Sequence, residues 1–252
     1  MVSLSECRAN RNKFILHLPS YVGGLILIKI LVVVPVGTDV RNRSRKAVCE
    51  RYASPGTVIE VVSLTRGPLS LETRRDHDEA VPLIIETVER VGAVNYDAVV
   101  ISCFLDPAVG ELRKMIKDKV VIGSGEASLY LARFLGEPIT VITVGAIRET
   151  LEMMEEHVEK LGLRDVVDVR GIPYGVLDAD RDKNTALKLL AEESMRAKEN
   201  GSRVVVVGCT AMAGFAEELE EVVGIPVVDP LKASIILAEA LVRLYGGGCG
   251  TT

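Results

Sequence analysis

From Lys29 onward the chain alternates between short runs of Val and Ile and longer stretches with apolar residues every three or four positions. The short runs fall at 29–36, 57–63, 97–102, 119–122, 139–144, 166–170, 203–208 and 225–228, bounded by Gly, Pro or Asp. Such runs predict strands. Helices are expected between them. In 147–161, Leu151, Met154, Val158 and Leu161 form a stripe at helical spacing, and 182–200 reads as a helix charged on its outer face. This alternation predicts an α/β fold with mostly parallel sheets covered on both faces.

The pattern also repeats. With Cys103 set against Cys209, residues 98–135 run against 204–241 without a gap, and "GEASLYLA" falls on "LKASIILA". Upstream, "VVVPVG" (32–37) meets "TVITVG" (140–145). Repetition in register implies two pseudo-symmetric, Rossmann-like or flavodoxin-like lobes with four-stranded sheets. The expected boundaries are 27–122 plus 232–248 for the first lobe and 123–231 for the second. Residues 1–26, which lack clear periodicity, are expected to be an extension outside the core. Ligands of open α/β sheets bind at the carboxyl ends of strands, so the cleft between the lobes is the expected site.

Composition narrows the function. Apolar residues make up 48% of the 252, yet aromatics are 4% and Trp is absent, so the core is aliphatic. A net charge of −5, with no basic patch among aromatics, argues against a nucleic-acid partner. The apolar run around Lys29 stops at Pro35, too short and too interrupted to span a membrane. Five scattered cysteines without a CxxC pair, and three distant histidines, offer no metal-ligand spacing. With no convincing signal peptide, a reducing cytoplasm is expected. Cys7, Cys49 and Cys249 lack any motif and read as structural. "RNRSRK" (41–46) reads as a solvated helix face, and "GSGEA" (123–127) lacks nucleotide-loop spacing. The polar segment 63–80 reads as a loop of the kind that covers active sites, with Ser70 and Glu72 as contacts or as part of a solvated connector.

Two thiols remain to be explained. Cys103 and Cys209 each end a strand ahead of an expected helix start, Asp106-Pro107 in one half and Thr210 in the other. Helix-terminal N–H groups lower a thiol's pKa and can hold a developing oxyanion. Thiols on opposite faces of a carbon acid can remove a proton from one side and return one to the other, with no cofactor. Asp106 reads as an N-cap ahead of Pro107, and Thr38 equally as a ligand or a cap.

"SCFLDPAV" (102–109), "IGSGEASLYLA" (122–132), "VITVG" (141–145) and "GCTAMAGF" (208–215) resemble motifs of the aspartate/glutamate/hydantoin racemase superfamily, most closely its hydantoin racemase branch. The resemblance spans about residues 29–245. It implies a cofactor-independent, metal-free isomerase with Cys103 and Cys209 as the acid/base pair. It also implies a small-molecule substrate held by Gly37, Thr38, Ser102, Phe104, Thr143, Val144, Gly145 and Thr210, and a homo-oligomer. One stretch departs: "VPVGTD" stands where hydantoin racemases tend to have Asn-Pro-Asn-Thr. The expected substrate is a 5-substituted hydantoin or a related amino-acid derivative; the C5 proton of a hydantoin lies beside a carbonyl that delocalises the enolate. Aspartate or glutamate racemisation, maleate isomerisation on the same scaffold, and ligand binding without turnover are the alternatives.

Overall fold

The computed structural model describes residues 20–22, 25–145 and 147–246. Residues 1–19, which make up most of the expected extension, lie outside the described residues. The strands are β1 (Ser20–Val22), β2 (Leu25–Val34), β3 (Thr57–Ser63), β4 (Ala98–Ile101), β5 (Val120–Gly123), β6 (Ile139–Val144), β7 (Val167–Ile172), β8 (Val204–Val207) and β9 (Val227–Val228). The α-helices are α1 (Asn42–Tyr52), α2 (Arg74–Val91), α3 (Val109–Met115), α4 (Ser124–Leu135), α5 (Arg148–Lys160), α6 (Val176–Arg181), α7 (Lys183–Glu199), α8 (Ala216–Val223) and α9 (Pro230–Gly246).

All eight predicted strands form, and they pair in two parallel sheets. The first runs β3-β2-β4-β5 and the second β7-β6-β8-β9, the same order twice. The alpha/beta fold with four-stranded parallel sheets thus stands as expected. β1 was not expected: it pairs antiparallel with the start of β2, Ser20 opposite Leu27. Ser20-Tyr21-Val22 followed by Gly-Gly is a hairpin signal too short to show a strand period.

Three apolar layers account for the strand sequences. On the outer face of the first sheet, Leu31, Val33, Val99, Ile101 and Val121 pack on Ile84, Val88 and Leu112 of α2 and α3. On the outer face of the second, Ile142, Val144, Val205 and Val207 pack on Ala186, Leu190 and Leu219 of α7 and α8. The two inner faces share one core. It joins Ile30, Val32, Val100 and Ile122 to Val141, Val204 and Val206 through α4 and α9. Strands buried on both faces have no polar side, which is why β4 and β8 are unbroken aliphatic runs.

α4 and α9 exchange places. α4 follows the last strand of the first sheet yet packs on β8 and β9 of the second. α9 follows the last strand of the second sheet yet lies on β2, β4 and β5 of the first, and the two helices pack on each other. Gly125, near the start of α4, permits this seat. A Cβ there would stand 1.9 Å from the Phe104 carbonyl oxygen, a contact that no side chain can make.

Candidate active site

The cysteines occupy matching positions. Ser102 N–H still donates to Val33 C=O at 2.8 Å, and Gly208 N–H to Ile142 C=O at 2.8 Å, so both sheets hold their ladders up to the residue before the thiol. Each cysteine's carbonyl then accepts from the N–H three residues on, Asp106 at 3.2 Å and Met212 at 3.0 Å. Beyond this turn the sequence reading needs correction. No α-helix begins at either thiol. Asp106 and Ala108 adopt left-handed backbone (φ 53° and 64°), which delays α3 to Val109. Thr210–Met212 forms a single 3-10 turn, and α8 waits until Ala216. The N–H groups that do reach the sulfurs are local ones, Leu105 for Cys103 and Ala211 for Cys209.

The thiols' ionisation follows from these surroundings. Burial pushes Cys103 up to about 12, opposed by the Leu105 N–H and reinforced by the Asp106 carboxylate. Burial also raises Cys209, but there the Ala211 N–H, Arg45 and Arg41 oppose it, while Glu72 reinforces it. Thiolate near neutrality, expected from helix termini, is therefore not what the free protein presents. The two thiols also differ in kind: a carboxylate backs Cys103, and a guanidinium backs Cys209.

Both cysteines line two adjoining cavities. One, of about 60 Å³, is bounded by Val34, Val36, Arg41, Arg45, Ser102 and Thr210. The other, of about 50 Å³, is bounded by His77, Phe104, Thr143, Val144, Met154 and Thr210. Leu71 and Val176 border both. One compartment is cationic and the other largely apolar, and both thiols face each. The roof is the segment between β3 and α2, which is tied across to the second lobe. Thr150 Oγ1 donates to Glu72 C=O at 2.8 Å, and Arg74 pairs with Glu156 at 2.6 Å. Ser70 lines the first cavity, while its hydroxyl donates to Glu72.

Of the residues named from sequence, Ser102, Cys103, Phe104, Thr143, Val144, Cys209 and Thr210 line these cavities. Gly37, Thr38 and Gly145 line neither. Gly37 packs on the roof, where a Cβ would meet Gly67 O at 2.5 Å, and Gly145 N–H donates to Tyr174 C=O. Thr38 Oγ1 accepts from Val40 N–H at 3.4 Å. Thr210 Oγ1 donates across the cleft to Ser102 C=O at 2.9 Å, and the buried Thr143 hydroxyl bonds to the carbonyls of Val144 and Gly208.

Sequence reading missed Arg45 and His77. Arg45 is not on a solvated face. It is 7% exposed and donates to Thr210 C=O, and its Nε is buried without a partner. The signal was available, because Arg41, Arg45, Val48, Cys49 and Tyr52 fall on one helical stripe. His77 Nε2 and Ser102 Oγ are likewise buried and unpartnered. Each of these three atoms belongs to a residue lining the cleft. Buried polar groups are normally satisfied, so three orphans at one site point to a polar ligand. Among the described residues, no group of three or more His, Cys, Asp or Glu is arranged to hold a metal ion.

Asp106 also departs from its expected role. It caps α4 instead of its own helix: its carboxylate accepts from Gly125 N–H at 2.8 Å and Glu126 N–H at 2.7 Å. His157 Nε2 lies 3.0 Å from Oδ2, the oxygen that also accepts from Glu126. Asp229 does the equivalent for α9, accepting from Leu231 and Lys232 N–H at 2.8 and 3.0 Å and from Gly214 N–H. Each carboxylate thus fastens the loop after one cysteine to the N-terminus of an exchanged helix. Gly123 leaves room for the Asp106 carboxyl, which a Cβ would meet at 2.3 Å.

Comparison with known proteins comes to the same place. The profile of the family described as Asp/Glu/Hydantoin racemase matches residues 30–238. A hydantoin racemase of Pseudomonas sp. (strain NS671) is 34% identical over 86% of this chain and 87% of its own. A hydantoin racemase of Paenarthrobacter aurescens is 30% identical over 86% and 92%. Among solved structures, allantoin racemase from Pseudomonas fluorescens superposes with a TM-score of 0.79 at 28% identity, covering 86% of this chain and 92% of that one.

Proposed function

The chain belongs to the Asp/Glu/hydantoin racemase family, and on that premise we propose that it racemises a 5-substituted hydantoin by two-thiol proton transfer without a cofactor. The observation that carries this reading is that Cys103 and Cys209 end equivalent strands of opposite lobes and line the same cavities. One thiolate takes the C5 proton, the bonding pair moves into the adjacent carbonyl as an enolate, and the opposite thiol protonates the other face. The roof segment and Val176 exclude water while the planar intermediate exists.

The substrate class rests on the relatives together with acidity. A hydantoin C5 proton is acidified by a neutral carbonyl, whereas a free amino acid's α-proton sits beside a carboxylate that resists further charge. The test is proton NMR in deuterated water with single enantiomers of isopropylhydantoin, benzylhydantoin, allantoin, aspartate and glutamate, each against an enzyme-free control. Enzyme-dependent loss of the C5 signal with inversion, on the hydantoins alone, is the expected result. Exchange only on the amino acids would move the substrate class, and none on any would sink the racemase reading.

The free-enzyme pH profile should be alkaline. The reaction needs one thiolate, and burial raises both thiols, Cys103 to about 12. A raised thiol is mostly protonated at neutral pH, so kcat/KM should climb as pH rises through the alkaline range. A rate already level below neutrality would contradict this.

A further inference from the structure

Arg45 is a buried cation without a carboxylate. Its side chain extends from α1 into the cationic compartment, and one end donates to the Thr210 carbonyl beside Cys209. No ion pair to Arg45 is formed among the described residues, and Nε has no partner. The other charged and titratable groups around it are Arg41 just ahead of its own helix and Cys49 on it, Cys209 after β8, and Asp229 just ahead of α9. Asp229 is already engaged by four groups: the N–H groups of Gly214, Leu231 and Lys232, and the Tyr52 hydroxyl at 3.1 Å. Desolvating a guanidinium is costly unless something negative completes the site. Cys49 has the stronger electrostatic influence on Arg45 but is sealed in the inner core, whereas Cys209 lines the same cavity as Arg45, so the group placed to do so is Cys209 as its thiolate. A carbonyl oxygen seated in the same compartment would meet a lining that includes Arg45 and Ser102, whose Nε and hydroxyl have no partner.

We propose that Arg45 is a further catalytic residue: its guanidinium balances Cys209 in its thiolate form, then receives the charge that appears on the substrate's carbonyl oxygen. The step conserves atoms and charge. Cys209 S⁻ takes the C5 proton, the C–H electron pair becomes the C=C of an enolate, and the carbonyl π pair moves to oxygen, within reach of Arg45 and Ser102. The S–H of Cys103 then protonates C5 from the opposite face, leaving Cys209 as thiol and Cys103 as thiolate. Solvent protons restore the resting state. Up to the enolate the negative charge stays beside one fixed cation, so little needs to reorganise between ground state and enolate. A neutral carbon acid suits this compartment, since a substrate carboxylate would compete with the thiolate for the same guanidinium.

This inference rests on the two-thiol reading, and its test separates the two. Alkylation of Cys209 by iodoacetamide, followed by peptide mass spectrometry across pH in a Cys103→Ser background, reads the thiolate without any turnover. Arg45→Met should move that profile to higher pH and Arg45→Lys should leave it near the parent. With both cysteines present, Arg45→Met should lower kcat on isopropylhydantoin on the order of 100-fold, the usual effect of losing one oxyanion donor. Should Arg45→Met fail to fold, Arg45→Gln, which keeps a donor for Thr210 but no charge, decides by the same two readouts. An unchanged alkylation profile in the uncharged variant would overturn the proposal. So would kcat within about threefold of the parent, where ~100-fold is expected, or a loss confined to hydantoins with a carboxylate side chain. Absence of turnover in the parent enzyme would instead remove the racemase reading and leave the alkylation result standing.

Discussion

Cys209→Ala is expected to lower racemisation by about 10³-fold or more, and Cys103→Ala by a similar factor, in line with the loss of a positioned acid or base. The pair acts as a unit, so the double variant should be scarcely worse than either single one. The informative readout is isotope exchange. With one thiol left, a proton can be taken from and returned to one face only. Each single variant should therefore exchange the C5 proton of one enantiomer without inverting it, and the two variants should choose opposite enantiomers. Exchange should also be faster when Cys209 is the survivor, because Arg45 and Arg41 favour its thiolate while Asp106 disfavours that of Cys103. If both variants exchanged the same enantiomer, the thiols would not flank the reacting carbon. Alanine removes little volume at either position, so melting temperatures close to the parent should accompany these losses.

Asp106→Ala is the second large effect, and it should strike stability first. The carboxylate is only 5% exposed and accepts from two N–H groups at the start of α4 while facing His157. Truncation would leave those donors and the histidine buried without their partner. Removing one member of a buried pair costs about 3 kcal/mol or more, which for a chain of this size lowers the melting temperature by roughly 6–12 °C. Asp106→Asn keeps the shape and one acceptor and should cost less. Activity should fall in both, because Asp106 fixes the turn that follows Cys103. Thermal melts and kcat/KM measured together check this. A melting temperature within about 2 °C of the parent for Asp106→Ala, well short of the 6–12 °C expected, would show that the helix end finds other partners.

These residues also mark how far the sequence could be read. The central strands were legible because burial on both faces leaves them nearly all aliphatic, the edge strands β3 and β7 because Val and Ile still dominate around Glu60, Asp168 and Arg170, and the repeat because the cysteines fixed its register. Sequence order shows which residues end a strand, so Cys103, Cys209, Ser102 and Thr210 could be named. It does not show how the backbone turns afterwards. The left-handed conformations at Asp106 and Ala108 displaced a helix start that Asp-Pro had seemed to announce. Contacts between distant segments were hidden for the same reason. His157 meets Asp106 only because α5 and α4 lie side by side in the second lobe, and nothing local in either sequence reports it. Arg45 was misjudged through composition, since four basic residues within 41–46 suggest water. Only its place on the apolar stripe of α1 tells it apart from its neighbours.

The exchange of α4 and α9 has a consequence for synthesis. The inner face of the first sheet is covered in part by residues 231–242, near the far end of the chain. A ribosome completes all of that sheet's strands, and the whole second sheet, before the helix that seals the first one emerges. Until then Ile30, Val32, Val100 and Ile122 lack a layer that covers them in the native protein. Nascent chains stalled before residue 230 should therefore hold this surface open to holdase chaperones, whereas chains extended past 246 should release them. Because neither lobe keeps all of its own helices, the two are expected to unfold in one step, which a single transition by two probes would check.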